Sequence, residues 1–214
     1  NEGDARDYDG WSEEVRVADL TLDETAFPNA KELQSDGALG RLKTTSAMGD
    51  VDGDGDHDEI YAYGARSFSI WSASGEQVYD SGDQLERMTA KRLGDNFNAN
   101  NDENESGDNR SDDKGPEPEG VVLGKIAGRT IAFIGLERVG GVASYDVTDP
   151  TKVEFLGYEN NRDFTGSAEA GRAKDLGPEG LTFIPAAQSP NGRDLLVVAN
   201  EVSGSSSVFE VTLN

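Results

Sequence analysis

Cysteine is absent from the 214 residues, which excludes disulfides, thiolate catalysis and cysteine-ligated zinc or iron–sulfur centres. Histidine occurs once, as His57, so a histidine-rich transition-metal site cannot be built and any catalysis falls to carboxylates, Lys, Arg, Ser or Tyr. Long hydrophobic runs are also lacking: the longest, such as 195–199, have the length of a strand and fall far short of a membrane span. Positive charge is scarce, with 19 basic against 42 acidic side chains for a net −23, and the resulting field repels phosphate backbones and anionic lipid heads. Neither nucleic acid nor membrane insertion is expected. The sequence has no Gly-x-Ser-x-Gly elbow, Walker loop, dinucleotide fingerprint or His-based metalloprotease helix. No signal peptide opens the chain at Asn1, so a secreted protein would be present here as a processed form or a segment of a longer precursor.

What is present is glycine, 26 residues of it, and short apolar or alternating runs bounded by Gly, Asn, Asp and Pro, which is the pattern of strands joined by tight turns. Strands are expected at 15–22, 59–64, 67–72, 76–79, 120–126, 129–136, 141–147, 153–158, 180–184, 194–199 and 206–213. The helical signal is limited to a turn at 85–93. The fold class is all-β and the default is one domain over 1–214.

An internal repeat decides the expected architecture. Asn100-Asn101 returns as Asn160-Asn161, Lys114 as Lys174, and Pro118-Glu119-Gly120 as Pro178-Glu179-Gly180, all at one offset (179 − 119 = 60). Further on, Glu137 with Gly140 and Tyr145-Asp146-Val147 matches Glu201 with Gly204 and Phe209-Glu210-Val211 at a slightly longer one (201 − 137 = 64). A weaker third copy runs through 61–71. Each copy has about four strands, the content of one β-propeller blade, with a β-sandwich as the alternative. Blades are expected near 39–93, 119–158 and 179–213, separated by polar insertions at 94–118 and 159–178. Three to four blades cannot close a ring of about seven. A second polypeptide, a missing N-terminal half or a symmetry mate is therefore expected to complete it.

The sharpest motif is Asp50-Val51-Asp52-Gly53-Asp54-Gly55-Asp56-His57-Asp58. Carboxylates at alternate positions, with Gly where the chain must turn sharply, wrap hard oxygen ligands around a cation that takes six to eight of them. Asp50, Asp52, Asp54 and Asp58 are the expected side-chain ligands, Asp56 contributes its carbonyl, and the expected ion is calcium (Ca2+). Position twelve is Tyr61 rather than Glu, so the loop is no EF-hand and resembles the calcium loops of integrin-type propellers. His57 is expected to be a solvated bystander. The alternative is an acidic turn without metal.

Glu119 and Glu179 stand at the start of the first strand of successive blades, where propeller strands converge on a central channel. Glu137 and Glu201 end the second strands. Carboxylates gathered there repel unless they share a cation, a proton or a basic neighbour, for which Lys114, Lys174, Arg138 and Arg162 are the candidates. The alternative is that each Glu bonds backbone amides at a turn. The cluster 100–105 reads equally as a further calcium site or a solvated loop.

Taken together, Gly49-Asp50-Val51-Asp52-Gly53-Asp54-Gly55, Asn100-Asn101-Asp102-Glu103-Asn104, Arg110-Ser111-Asp112-Asp113-Lys114-Gly115-Pro116-Glu117-Pro118-Glu119-Gly120, Gly135-Leu136-Glu137-Arg138-Val139-Gly140-Gly141 and Val198-Ala199-Asn200-Glu201-Val202-Ser203-Gly204 resemble the choice-of-anchor I domain of secreted bacterial proteins. That domain is similar to mesenchyme-specific cell-surface glycoproteins of biomineralising animals. The resemblance runs from about Leu39 onward and implies the C-terminal half of a longer, propeller-like domain that is secreted or at the cell surface. Some members are labelled alkaline phosphatase. Two functions follow as expectations. One is a calcium-loaded binding module that meets a surface glycan, matrix or mineral. The other is a calcium-dependent phosphoesterase of alkaline phosphatase or phytase type that uses Glu119, Glu179, Glu137 and Glu201 with Lys114, Lys174 and Arg138.

Overall fold

The computed structural model describes residues 1–213 and is all-β, built from several small antiparallel sheets. The chain divides into two compact units. One comprises residues 2–65 with 111–114, and the other comprises residue 1, residues 66–110 and residues 115 onward.

The N-terminal unit has little regular structure. β1 (Asp7–Tyr8) and β2 (Trp11–Ser12) form a hairpin turned by Gly10 at φ +83°, with the Tyr8 and Trp11 rings stacked 6.2 Å apart. β3 (Glu14–Arg16) pairs with β4 (Lys43–Thr45). The expected strand at 15–22 ends early because Val17–Asp19 coils into a 3-10 turn, burying Val17. A single helical turn, α1 (Ala30–Leu33), leads to Gln34, whose amide donates to the carbonyls of Val17 and Leu20. The strand expected at 59–64 does not form. The Tyr61 carbonyl accepts from the Thr45 amide and the Thr44 hydroxyl of β4, and the Tyr63 hydroxyl donates to the Thr44 carbonyl, bonds that make no ladder.

Residues 111–114 belong to this unit through charge. Arg41 grips Asp112 with Nε and Nη2 at 3.1 and 2.8 Å, and Lys43 lies 3.1 Å from both Asp113 and Glu14. The expected insertion 94–118 is thus divided, with Ser111, Asp112, Asp113 and Lys114 on one unit and its remainder on the other.

In the C-terminal unit the strand pattern holds closely. β5 (Ser69–Trp71) and β6 (Gln77–Asp80) form a hairpin, followed by α2 (Gln84–Leu93). The expected turn is in fact a ten-residue helix, since Leu85, Met88 and Leu93 place an apolar stripe on one face and Gly94, at φ +56°, ends it. β7 (Pro118–Ile126), β8 (Arg129–Leu136), β9 (Val142–Asp146) and β10 (Glu154–Glu159) make a four-stranded antiparallel meander, and β11 (Pro178–Ile184), β12 (Leu195–Asn200) and β13 (Ser205–Glu210) make a three-stranded one. The expected unit at 119–158 is therefore one complete four-stranded sheet. The region 39–93 is not a sheet of that kind; it holds β4, the β5–β6 hairpin and a helix.

The central strands β8 and β9 of the four-stranded sheet are buried on both faces. Ile134, Leu136, Ala143 and Tyr145 pack with Leu85 and Phe68 on one side, while Ile131, Phe133 and Val142 pack with Leu196 and Val198 of the second sheet on the other. This double burial explains the unbroken apolar run of β8. The two sheets approach closely at their Pro-Glu-Gly ends, where a Cβ on Gly120 would lie 2.3 Å from the Glu179 carbonyl oxygen.

Candidate functional site

The loop 50–58 folds around its own carboxylates. Asp50 accepts amides of Gly53 and Asp54 at Oδ1 (2.7 and 3.2 Å) and of Gly55 at Oδ2 (3.1 Å), while Asp58 accepts the Val51 amide at 2.8 Å. Asp52 and Asp54 each accept the amide two residues on. Gly53 and Gly55 take φ of +81° and +102°, which glycine adopts without steric penalty. At the neck, the Asp58 and Glu59 amides both donate to the Gly49 carbonyl.

One oxygen each from Asp50, Asp52 and Asp58 lies within 4.8 Å of the other two, a hard-oxygen donor set that fits a divalent cation. Mutual repulsion raises the carboxyl of Asp52, chiefly through Asp54. Asp54 is the fourth expected ligand and lies outside this triplet, with its oxygen on the Asp56 amide. Asp56 has one side-chain oxygen buried without a hydrogen-bond partner, and its carboxyl is raised by burial and then by Asp54 and Asp23. His57 is no solvated bystander. Both ring nitrogens are buried, and its backbone bridges to Thr21 and Asp23, which pins the loop to the segment around Leu22.

The second candidate cluster splits into a buried and an exposed part. Glu117, fully buried at φ +50°, pairs with Arg110 at 2.6 Å and Arg138 at 3.1 Å. Glu137 is also buried, 3.3 Å from Arg138 and bonded by the Asn101 amide at 2.6 Å. Burial first, and then the hydrogen bond with Glu117, pushes the Glu137 carboxyl well above the usual carboxylate range. Glu117 carried no role in the sequence reading. Its signal was the repeat itself, since its counterpart at offset 60 is Gly177, which takes φ +70°. A glutamate in a glycine conformation marks a backbone held in place by its side-chain partners.

Glu119 and Glu179 sit at equivalent irregularities. Strand pairing shifts between Pro118 and Val121 in the first sheet and between Pro178 and Gly180 in the second, and both glutamates are exposed at these bulges. Glu179 is hydrogen-bonded to Glu201, which raises its carboxyl, with the charges of Glu201 and Glu119 adding to the effect. Glu179 and Glu201 line an open depression of about 500 Å³ together with Asn200 and Ser205. Of the expected basic partners, Lys114 pairs with Glu2 at 3.0 Å and Arg138 with Glu117 and Glu137, while Lys174 is exposed and its charge adds a little to the lowering of Asp163 and Asp175.

The 100–105 loop is wrapped around a guanidinium. Buried Arg162 donates to the carbonyls of Asn100 (2.6 Å), Glu103 (2.6 Å) and Arg138 (3.1 Å) and to the Asn104 side chain, and it stacks 4.5 Å over Phe164. With neutral acceptors, burial lowers its pKa to about 10.

No solved structure matches the chain, and no helix among the described residues is long and apolar enough to cross a membrane. Gigasin-3a of Magallana gigas is 34% identical over 190 residues, covering 84% of this chain, and the match spans 66% of that relative's own length. Residues 1–150 match the choice-of-anchor I domain. The aspartate loop, the Glu117 ion pairs and both strands of the first Pro-Glu-Gly hairpin lie within that match, and the chain belongs to the choice-of-anchor I domain family.

Proposed function

We propose that this protein is an extracellular, calcium-binding module built of consecutive propeller blades that contacts a surface, matrix or mineral. The observation that carries the reading is the convergence of Asp50, Asp52 and Asp58 in a loop whose glycines and amides are already arranged around them. Three converging carboxylates repel one another strongly without a cation, and a flexible all-oxygen loop favours calcium over magnesium. The propeller part of the reading is supported by the repeated sheets, by their stacking at the Pro-Glu-Gly ends and by the double burial of β8. A further polypeptide segment completes the ring.

Calorimetric titration with calcium tests the first part. The expected result is one saturable site at loop 50–58, abolished by Asp50→Asn with Asp58→Asn, together with loss of hydrogen-exchange protection at 49–59 on chelation. Equal heat in the double variant would overturn it.

The exposed trio Glu119, Glu179 and Glu201 beside an open depression keeps the calcium-dependent phosphoesterase reading in view. It is the less favoured reading, because Lys114 pairs with Glu2, and Arg138 pairs with the buried Glu117 and Glu137. Turnover of a phosphomonoester in calcium, lost on Glu179→Gln with Glu201→Gln, would reverse the preference.

A further inference from the structure

The two sheets of the C-terminal unit repeat one another, but not in the turn that joins their first two strands. β7 and β8 meet through the tight turn 127–128, whereas β11 and β12 are joined by the longer loop 185–194. In that loop stands Asn191-Gly192, the one asparagine of the sequence that precedes a glycine. Both residues are exposed, and Gly192 brings no side chain that would block the approach to its own amide nitrogen. That amide makes a long bond of 3.3 Å to the Ser189 carbonyl.

The Asn191 side chain is held rather than free. Its Oδ1 accepts from the Ser189 hydroxyl at 3.0 Å and from the Arg193 amide at 3.1 Å, and the Ser189 hydroxyl oxygen accepts from the same Arg193 amide at 3.0 Å. Two donors on a carbonyl oxygen polarise its carbon and stabilise negative charge arriving on the oxygen. The polarised carbon, Cγ, is the one that a five-membered ring would join to the Gly192 nitrogen. Asn104 offers the contrast. Its Oδ1 also has donors, from Arg162, but its Nδ2 is held by the carbonyls of Asp163 and Gly166, and the next residue is Glu105. Asn191 Nδ2 donates to no group among the described residues, so nothing there retains it as a leaving group.

We propose that loop 185–194 is a self-modification site, in which Asn191 deamidates in the folded chain through a succinimide closed on Gly192. The Gly192 nitrogen gives up its proton to hydroxide or a buffer base and bonds to Cγ; the Cγ–Nδ2 bond then breaks, a proton is taken up and ammonia leaves. Water opens the ring at either carbonyl and leaves an aspartyl or an isoaspartyl linkage. One water is consumed, one ammonia is released and nothing is oxidised or reduced. The Ser189 hydroxyl and the Arg193 amide hold the oxyanion of the ring-closing step. Either product sets a new carboxylate beside Arg193, which pairs with Glu210 at 3.3 Å. The isoaspartyl product also adds one carbon to the main chain shortly ahead of Asp194, whose carboxylate accepts the Ala186 amide at 2.7 Å and whose carbonyl accepts the Val211 amide at 2.8 Å. That product therefore loosens the loop where it enters β12. The proposal rests on neither the calcium nor the blade reading.

The test is to hold the whole chain in warm, mildly alkaline buffer and to follow it by peptide mapping with mass spectrometry. The amide-to-acid mass change should appear at Asn191 before any other asparagine, as two products of equal mass that separate chromatographically, and the isoaspartyl fraction should lose hydrogen-exchange protection at amides 186 and 211. Asn191→Gln, which would have to close a six-membered ring, should abolish the change. Ser189→Ala should slow it about three- to tenfold in the folded chain, with the β12 amides protected as before, and should leave the rate in a synthetic peptide of residues 186–196 unaltered. A change that appears first at another asparagine, or none at Asn191 while the peptide is converted, would overturn the proposal. Equal rates for Ser189→Ala and the unaltered folded chain would overturn it as well, because the two donors would then contribute nothing.

Discussion

The two units of this chain solve the problem of holding a backbone in place by different means. In the C-terminal unit, seven-residue and longer strands bury apolar side chains on both faces of a sheet. In the N-terminal unit, strands of two or three residues surround a small core of Val17, Leu20 and Leu22, and most ordering contacts are polar: Arg6 on Glu13, Arg41 on Asp112, Lys43 on Asp113 and Glu14. Partly exposed ion pairs of this kind contribute roughly 0–1 kcal/mol each. A region that depends on them is sensitive to salt, to pH and to whatever neutralises its carboxylates. The difference teaches that the acidity of the chain is tolerated where apolar burial is plentiful and needs a counter-ion where it is not.

Truncating the sheet should produce the largest effect. Leu136→Ala, at a fully buried site, should destabilise the C-terminal unit by about 2–5 kcal/mol in denaturant melts, while the calcium isotherm of the loop stays unchanged. Loss of calcium binding in that variant would erase the distinction between the units. Next in size, calcium at about 100 times its Kd should stabilise the N-terminal unit by about 2.7 kcal/mol, visible as exchange protection at 43–61 and not in β8. Arg162→Lys should remove about 1.5–3 kcal/mol, because an ammonium cannot reach the Asn100, Glu103 and Arg138 carbonyls together. Protection lost at 100–104 alone would confirm that the arginine acts on its loop.

A further effect is one of pH, with opposite signs in the two units. Arg6 holds Glu13 down to about 2, so its contribution is present above the ordinary value of 4.5 and disappears as pH falls through about 2. Glu137 is raised to about 8, so the folded state binds the extra proton and stability declines as pH rises from 4.5 through 8. Glu137→Gln should flatten that decline, measured as the change in melting midpoint between pH 5 and 8. An unchanged slope would place the proton elsewhere.

Nine strands from 67 onward could be read from the sequence to within a few residues, because apolar burial writes period-two patterns and unbroken runs directly into the chain. The helix α2 could not, since Leu85, Met88 and Leu93 lie among charged residues and their spacing shows only when helical geometry is assumed. The N-terminal half was harder. Its order comes from contacts between distant polar residues, such as Arg41 with Asp112, which leave no local pattern. For the same reason Arg162 looked like a basic neighbour for channel carboxylates, when the acceptors for its donors are backbone carbonyls. The aspartate loop was legible because its carboxylates alternate within one short segment. Glu117 was not, because its partners Arg110 and Arg138 come from separate segments.

The bulges beneath Glu119 and Glu179 bear on how this scaffold can vary. Both side chains are turned outward by an irregular backbone, with Glu119 and Glu179 left out of the strand pairing. Exposed residues of this sort usually change stability by no more than about 0.5 kcal/mol when replaced. The sheets thus act as a chassis with interchangeable fittings: the charge and reach of that rim can be rewritten, one glutamate at a time, while the layers that carry it stay as they are.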